Sequence, residues 1–448
     1  MNSAADYQSI LSLESENLLE IFSEGRNGHV DVLIQPQYMI TCQLYFQSQD
    51  LTYELAVDDV EEEVDKERRR VRLKAIVAQG QFSFDTYHRL KVIYDRLDAL
   101  AAKHTTTAET FDLPGESYEK RKIQVIRMTS HVASAESADK PLIWIDGGIH
   151  AREWVVPATM MYIIESLLGE KEPDKTDQMN TLLDKYQIVI APCINPDGYE
   201  YSHEEERLWR KNRKPSGCKS NKYNWFGGCF YTWCYGVDGN RNWSADWGRV
   251  GVSTDPCSQV YPGKKAFDQE NTRMVRDYLE SNQDKLKLYV TYHSYSQLFL
   301  TPLGYSSDIL PKDHEHHIKV GNAVVKAIAG RHGVKYEPMR AAELYPASGD
   351  SPDWTHDVLG LTDSYTFELR PDENSWRVGF ELPEEQILPT GEENVDGLLA
   401  LIANIKYEIE DKSDDNNDGD EQDKEDDHNE GDNQDNGKSD DSDQKSDE

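Results

Sequence analysis

Four short stretches of the chain read as strand-like runs: residues 141–146 (PLIWID) and 186–193 (YQIVIAPC), which are apolar at nearly every position, and 287–294 (KLYVTYHS) and 363–370 (DSYTFELR), which are more mixed. Apolar runs of this length, as in the first two, predict strands covered on both sides, as in a parallel sheet under helices. Between the first two, Val156, Met160, Ile163 and Leu167 recur at the spacing that turns one helix face onto such a sheet. From about Phe82 to Tyr407 strand-like runs keep alternating with amphipathic stretches. This predicts an α/β domain with a mixed, mostly parallel sheet flanked by helices. The first 64 residues predict a smaller α/β unit. It comprises a helical LLEIFSE, an alternating VDVLIQP strand, a second helix and LTYELAV as a strand, and it ends in the charged run DDVEEEVDKERRR. No internal repeat is present. Beyond Asp411 the chain has no aliphatic or aromatic residue, so it has nothing to bury against the entropy of ordering and is expected to be disordered.

Charge sharpens this division. The chain carries a formal net charge of −35 over 448 residues; the segment from Asp411 holds 18 acidic and four basic residues, a net of −14, and leaves −21 for the rest. An acidic body with an acidic tail argues against binding nucleic acid or an anionic membrane through bulk charge. No run of 18 uncharged apolar residues exists to span a bilayer. The first residues lack the basic and apolar regions of a secretory leader. Yet Cys218, Cys229, Cys234 and Cys257 crowd into forty residues, which suggests paired thiols in an oxidising, extracellular setting.

The candidate chemistry lies where the strands end. LIWID runs into GGIHAREW, so His150 and Glu153 stand three apart at a strand's C-terminal edge, where open α/β sheets present their ligands. Alone the pair is weak. His293, at the end of another apolar strand, completes a two-histidine, one-carboxylate set with an open fourth position, the ligand set of a catalytic zinc that acidifies water. Glu368, a carboxylate inside an apolar strand, is placed to act as general base. Arg210 in RLWRKNR, with Asn240 and Arg241 in GVDGNRNW, supplies cationic and amide donors suited to a carboxylate.

These motifs, with TYHSYS, LYPASGDSPDW and TFELR, make the chain from about Phe82 to Tyr407 resemble a zinc metallocarboxypeptidase of the pancreatic A/B type. The N-terminal unit resembles its inhibitory pro-domain. The resemblance implies a pro-domain at 1–70, an activation linker at 71–81, a catalytic domain at 82–410 and the acidic tail at 411–448. It implies one Zn2+ on His150, Glu153 and His293, with Glu368 as general base and proton donor and Arg210 stabilising the oxyanion. Asn240, Arg241 and Tyr345 would hold the substrate's terminal carboxylate, Arg152 would line the approach, and Asp238 would orient His150. The activity implied is a zymogen exopeptidase that removes C-terminal residues through Glu-assisted attack of a zinc-bound water. Its implied partners are peptide C-termini and a trypsin-like activator cutting near Arg68-Arg69-Arg70, and the protein is expected to be a secreted monomer. The alternatives are an inactive relative serving as a binding protein, or a zinc amidohydrolase acting on a modified or acylated amino acid.

Two departures from the family pattern matter. The pocket-floor position falls on Pro352, which predicts a preference for apolar or aromatic terminal residues, although Asp350 and Arg340 stand nearby with opposite charges. The insertion SGCKSNKYNWFGGCFYTWC adds Cys218 and Cys229 as a second candidate pair beside Cys234 and Cys257, which resemble the usual bridge. The Asn242-Trp243-Ser244 sequon lies inside the GVDGNRNW motif and is expected to be unmodified.

Overall fold

The computed structural model describes residues 9–10, 12–14, 16, 18–24, 30–220, 231–372, 375 and 379–406. The expected disorder of the acidic tail therefore lies outside the described residues.

At the N-terminus, β1 (Glu20–Glu24) pairs antiparallel with β2 (Val30–Leu33), and the helix Met39–Ser48 follows. Cys42 and Phe46 of that helix pack on Leu19 and Ile21 in a small core of their own. Two expectations are corrected here. The LLEIFSE stretch is not helical, because Glu20–Glu24 finds a partner strand in β2, and pairing overrides the helix preference of Leu and Glu. LTYELAV forms no strand: it has the alternation but meets no sheet edge, and Thr52, Tyr53, Glu54 and Leu55 are exposed.

The helix Val60–Val77 comes next, started by the Asp59 carboxylate, which accepts from Glu62 N at 3.0 Å, and by Glu61, Glu62 and Glu63 in the first turn. It runs unbroken past Arg70 and presses one residue deep into the larger domain. There Glu67, 1% exposed, pairs with the Arg207 guanidinium. Arg207 also donates to Arg152 O (2.8 Å) and Phe380 O (2.6 Å) and lies 3.7 Å over the Trp154 ring. Glu67→Gln leaves that buried cation without its carboxylate and is expected to destabilise the intact chain by ~3 kcal/mol. A urea midpoint unchanged from wild type would contradict this.

The larger domain is built on β3 (Ala108–Asp112), β4 (Gln124–Met128), β5 (Leu142–Gly147), β6 (Gln187–Ala191), β9 (Leu286–Ser296), β10 (Leu298–Thr301), β11 (Glu337–Arg340) and β12 (Ser364–Asp372), with a separate hairpin of β7 (Pro215–Ser220) and β8 (Tyr231–Tyr235). The eight-stranded sheet has the order β11-β10-β12-β9-β5-β6-β4-β3. Its centre, β12-β9-β5-β6, is parallel, while β3, β4 and β10 run against their inner neighbours. Every residue of β5 and β6 is buried, which is why both read as uninterrupted apolar runs. One face is covered by the helices Leu90–Lys103, Val155–Leu167, His314–His332 and Ile387–Ile402, and the other by Glu270–Ser281 with Trp243 and Trp354. The strand order places the C-terminal ends of β5, β9 and β12 side by side.

Candidate active site

β5 ends at Gly147, and the chain turns through Gly148 at φ +64°, where a Cβ would stand 3.1 Å from Cys193 Cα. That turn delivers His150 and Glu153 to the top of the sheet; Ala151 N then bonds Arg210 O at 3.0 Å and ties the turn to the RLWRKNR segment. His293 rises from β9, and Glu368 of β12 is its direct partner in parallel register, so both side chains leave the same face.

The three expected ligands meet. His150 Nδ1 lies 2.7 Å from Glu153 Oε1 and 3.1 Å from His293 Nδ1, and His293 Nδ1 is 3.4 Å from Glu153 Oε2. All three residues are at most 4% exposed. Donation from His150 Nε2 to Asp238 Oδ1 (3.1 Å) leaves Nδ1 as a lone pair pointing at the other imidazole. His293 Nε2 is buried with no hydrogen-bond partner among the described residues. Two imidazole nitrogens facing each other beside a carboxylate, with one histidine's tautomer fixed from behind, is a donor set that suits a zinc ion. Burial alone would raise the Glu153 carboxyl, but His150 and His293 outweigh it and hold it well below the usual range.

Among the described residues the Glu368 carboxylate has no hydrogen-bond or ion-pair partner, and it is partly open to the cleft. Burial pushes its carboxyl up to about 8, with His293 and Arg210 opposing and Glu153 adding to the rise. Asp238 is the hub on the other side. Its Oδ2 accepts from Arg210 Nε (3.2 Å) and Nη2 (2.9 Å), and its Oδ1 from Asn240 N (2.9 Å) as well as His150. Asn240 Oδ1 accepts from Ser351 N at 3.2 Å, which leaves its amide nitrogen as the end available to a ligand. Arg241 donates from Nε to Gly251 O and from Nη1 to Asn240 O, and stands 5.8 Å over the Tyr345 ring.

One cleft is lined by His150, Arg152, Glu153, Arg210, Asn240, Arg241, His293, Tyr345 and Glu368 together, and by Ile21 and Phe22 of the N-terminal unit. Pro352 is not among the lining residues; it opens the short helix Ser351–Asp353 and its carbonyl accepts from Thr355 Oγ1 and Ser364 Oγ, both at 3.0 Å. The Arg152 guanidinium is sandwiched between the rings of Phe22 (4.6 Å) and Phe380 (4.3 Å), and its Nη2 donates to Phe22 O at 2.7 Å. Tyr295 OH reaches Asp31 Oδ2 at 2.9 Å. The cavity in this cleft has a volume of about 90 Å³.

The motif reading missed Arg207 and Phe380. Arg207 begins RLWRKNR, but the glutamate that pairs with it stands 140 residues away.

The zinc carboxypeptidase profile matches residues 93–397, and the carboxypeptidase activation peptide profile matches residues 1–67. The chain belongs to the zinc carboxypeptidase family. It is a metallocarboxypeptidase that uses zinc and carries its activation peptide, the zymogen form. It is 34% identical to zinc carboxypeptidase A 1 of Anopheles gambiae over 90% of this chain and 87% of that one. It is 38% identical to carboxypeptidase B of Astacus astacus over 71% and 97% respectively. Among solved structures, thrombin activatable fibrinolysis inhibitor aligns with a TM-score of 0.74 at 27% identity, covering 90% of this chain and 96% of that one. Carboxypeptidase A from Helicoverpa armigera aligns at 0.76 and 25%, covering 90% and 95%.

The remaining expected features are placed as follows. Cys234 and Cys257 form a disulfide, while the Cys218–Cys229 pairing lies outside the described residues. Asn242 of the sequon is fully buried and its Nδ2 donates to Pro262 O (2.7 Å) and Asp268 Oδ1 (2.9 Å), so no nitrogen is left for a glycan. Arg340 is committed to Ser307 O, Ile309 O and Glu343 rather than to the cleft. No helix among the described residues is long and apolar enough to cross a membrane.

Proposed function

We propose that this cleft removes the C-terminal residue of peptides and proteins, with His150, Glu153 and His293 holding zinc and Glu368 moving the protons. The observation that carries the reading is the parallel register of Glu368 with His293, beside a ligand trio whose nitrogens converge. Zinc, when bound, supplies a Lewis acid that makes water a nucleophile near neutral pH. Glu368 accepts the proton of the attacking water and returns it to the leaving amine; the lack of any competing partner suits a carboxylate that must take up and release a proton. Arg210, fixed by Asp238, offers its remaining guanidinium donors to the developing oxyanion. Asn240, Arg241 and Tyr345 clamp the substrate's terminal carboxylate, and Arg152 binds the chain upstream, where Phe22 O now sits.

The N-terminal unit closes the cleft, and a trypsin-like protease opens it. Support comes from the helix Val60–Val77, where Arg69, Arg70 and Arg72 are exposed, while Arg70 and Lys74 each stand 3.5 Å from buried Glu384. The pro-domain thus ends near Arg70 and the catalytic domain begins near Phe82. The protein works outside the cell as a monomer; the Cys234–Cys257 bridge fits an oxidising compartment.

Trypsin-trimmed protein is expected to hold one zinc and to shorten a free peptide one residue at a time. It should act on the same peptide with an amidated C-terminus about 100-fold or more slowly, because the clamp's charges are then left unpaired. Internal cleavage of the amidated peptide would overturn the exopeptidase reading. A chelator-treated sample retaining full activity would overturn the metal assignment.

A further inference from the structure

Removal of the N-terminal unit takes a carboxylate away from a buried cation. Arg207 is 1% exposed, and Glu67 accepts from its Nε through Oε2 and from its Nη2 through Oε1, the latter at 3.3 Å. Glu67 precedes Arg68-Arg69-Arg70, so a cut anywhere in that triplet carries it off with the helix. Arg207 itself stays behind. Its Nη1 still donates to Arg152 O and its Nη2 to Phe380 O, and both of those residues line the cleft. A buried guanidinium that has lost its carboxylate is costly, and the nearest replacement is found in the segment that follows Phe380.

Two carboxylates of that segment are candidates, Glu381 and Glu384. A cut at Arg68-Arg69-Arg70 leaves Lys74 on the catalytic side, where its Nζ stands 3.5 Å from Glu384 and is anchored by a 2.7 Å bond to Asp85 O. Glu384 therefore keeps a cation. Glu381 has no ion pair among the described residues, and its Oε1 is buried without a hydrogen-bond partner. It follows directly on the carbonyl that Arg207 Nη2 holds at 2.6 Å. The charged groups facing it are Glu67, Glu63 and Arg70 of the helix and Arg207 of the catalytic domain. While Glu67 fills the seat against Nε and Nη2, Glu381 is shut out of it.

We propose that Glu381 takes the seat of Glu67 on Arg207 once the helix is gone, and so holds Arg207, and through it Arg152 and Phe380, in the working cleft. Glu381 is then a positioning residue. It meets no substrate; the bonds of Arg207 to Arg152 O and Phe380 O fix the two residues that a peptide passes upstream of the scissile bond. Before the cut the same carboxylate works against the closed form. Burial and Glu67 push its carboxyl up to about 7, with Glu63 adding to the rise and Arg207 and Arg70 opposing. A carboxyl raised in the folded state binds its proton more tightly there, so its cost to the closed form grows as pH climbs from its ordinary 4.5 through about 7. Pairing with Arg207 after the cut lowers the carboxyl instead and reverses that sign.

Glu381→Gln tests this in two zinc-loaded forms, uncut and trypsin-trimmed, each confirmed by mass. In the uncut form glutamine removes a charge that has no partner, so the urea midpoint at about pH 7.5 is expected to equal or exceed that of wild type. In the trimmed form it removes the partner of Arg207, and the midpoint is expected to fall below that of trimmed wild type. A side chain that only packs would move both forms the same way. The trimmed variant is also expected to raise KM about tenfold on a long peptide, with kcat and the rate on a blocked dipeptide unchanged. A midpoint that falls in the uncut form, one that holds in the trimmed form, or an equal loss of rate on long and short substrates would each overturn the proposal. The peptide arm rests on the carboxypeptidase reading above. If trimmed wild type shortens no peptide, that reading fails, while the two midpoints still decide the role of Glu381.

Discussion

Glu368→Gln is expected to abolish turnover while the protein still binds one zinc. General acid–base catalysis contributes about 10²- to 10⁴-fold, and Glu368 stands in both proton-transfer steps, so a loss toward the upper end is expected. The metal should stay because the ligands are His150, Glu153 and His293, two of them fixed from behind: His150 by Asp238, and Glu153 by the Ser294 amide at 3.2 Å. Glutamine keeps the size of the side chain and its place on β12, so the fold of the strand is retained. Metal content by atomic absorption and kcat/KM on one peptide decide the matter. Turnover within tenfold of wild type would remove Glu368 from the mechanism, and loss of zinc would show that it acts through the metal site instead.

The second large effect is expected from the lid. Arg152 lies between Phe22 and Phe380 with a donor spent on Phe22 O, and Ile21 and Phe22 line the cleft, so the N-terminal unit occupies the approach a peptide would take. A site blocked in all but about 1% of molecules loses about 100-fold in apparent kcat/KM, and at least that much is expected for the uncut chain on a long peptide. Metal coordination is untouched by the lid, so uncut and trimmed protein should contain the same zinc. Limited trypsin treatment, with intact mass checked before the assay, makes the comparison. Equal rates would make the N-terminal unit a folding aid rather than an inhibitor. Deleting everything after Asp411 is the control and should leave the ratio of the two rates unchanged.

The strands carrying the site were legible because burial on both faces makes β5 and β6 apolar almost throughout, while β9 and β12 keep Leu, Tyr, Val and Phe at the positions around His293 and Glu368. The N-terminal unit was less so. Residues 20–24 form a strand only because β2 is there to pair with them, and residues 51–57 alternate without a sheet edge to join. The Glu67–Arg207 pair joins segments 140 residues apart, so no local pattern announces it.

The pairing of Glu368 with His293 also determines where the chain can change length. Side chains along a strand alternate between faces, so deleting one residue between Ser364 and Glu368 would turn the carboxylate to the opposite side of the sheet and strand it among apolar helices or tryptophans. The connections between β5, β9 and β12 carry no such constraint, because added residues there leave every register intact. Homologues should therefore differ in length between these strands and hold constant the count of residues within them.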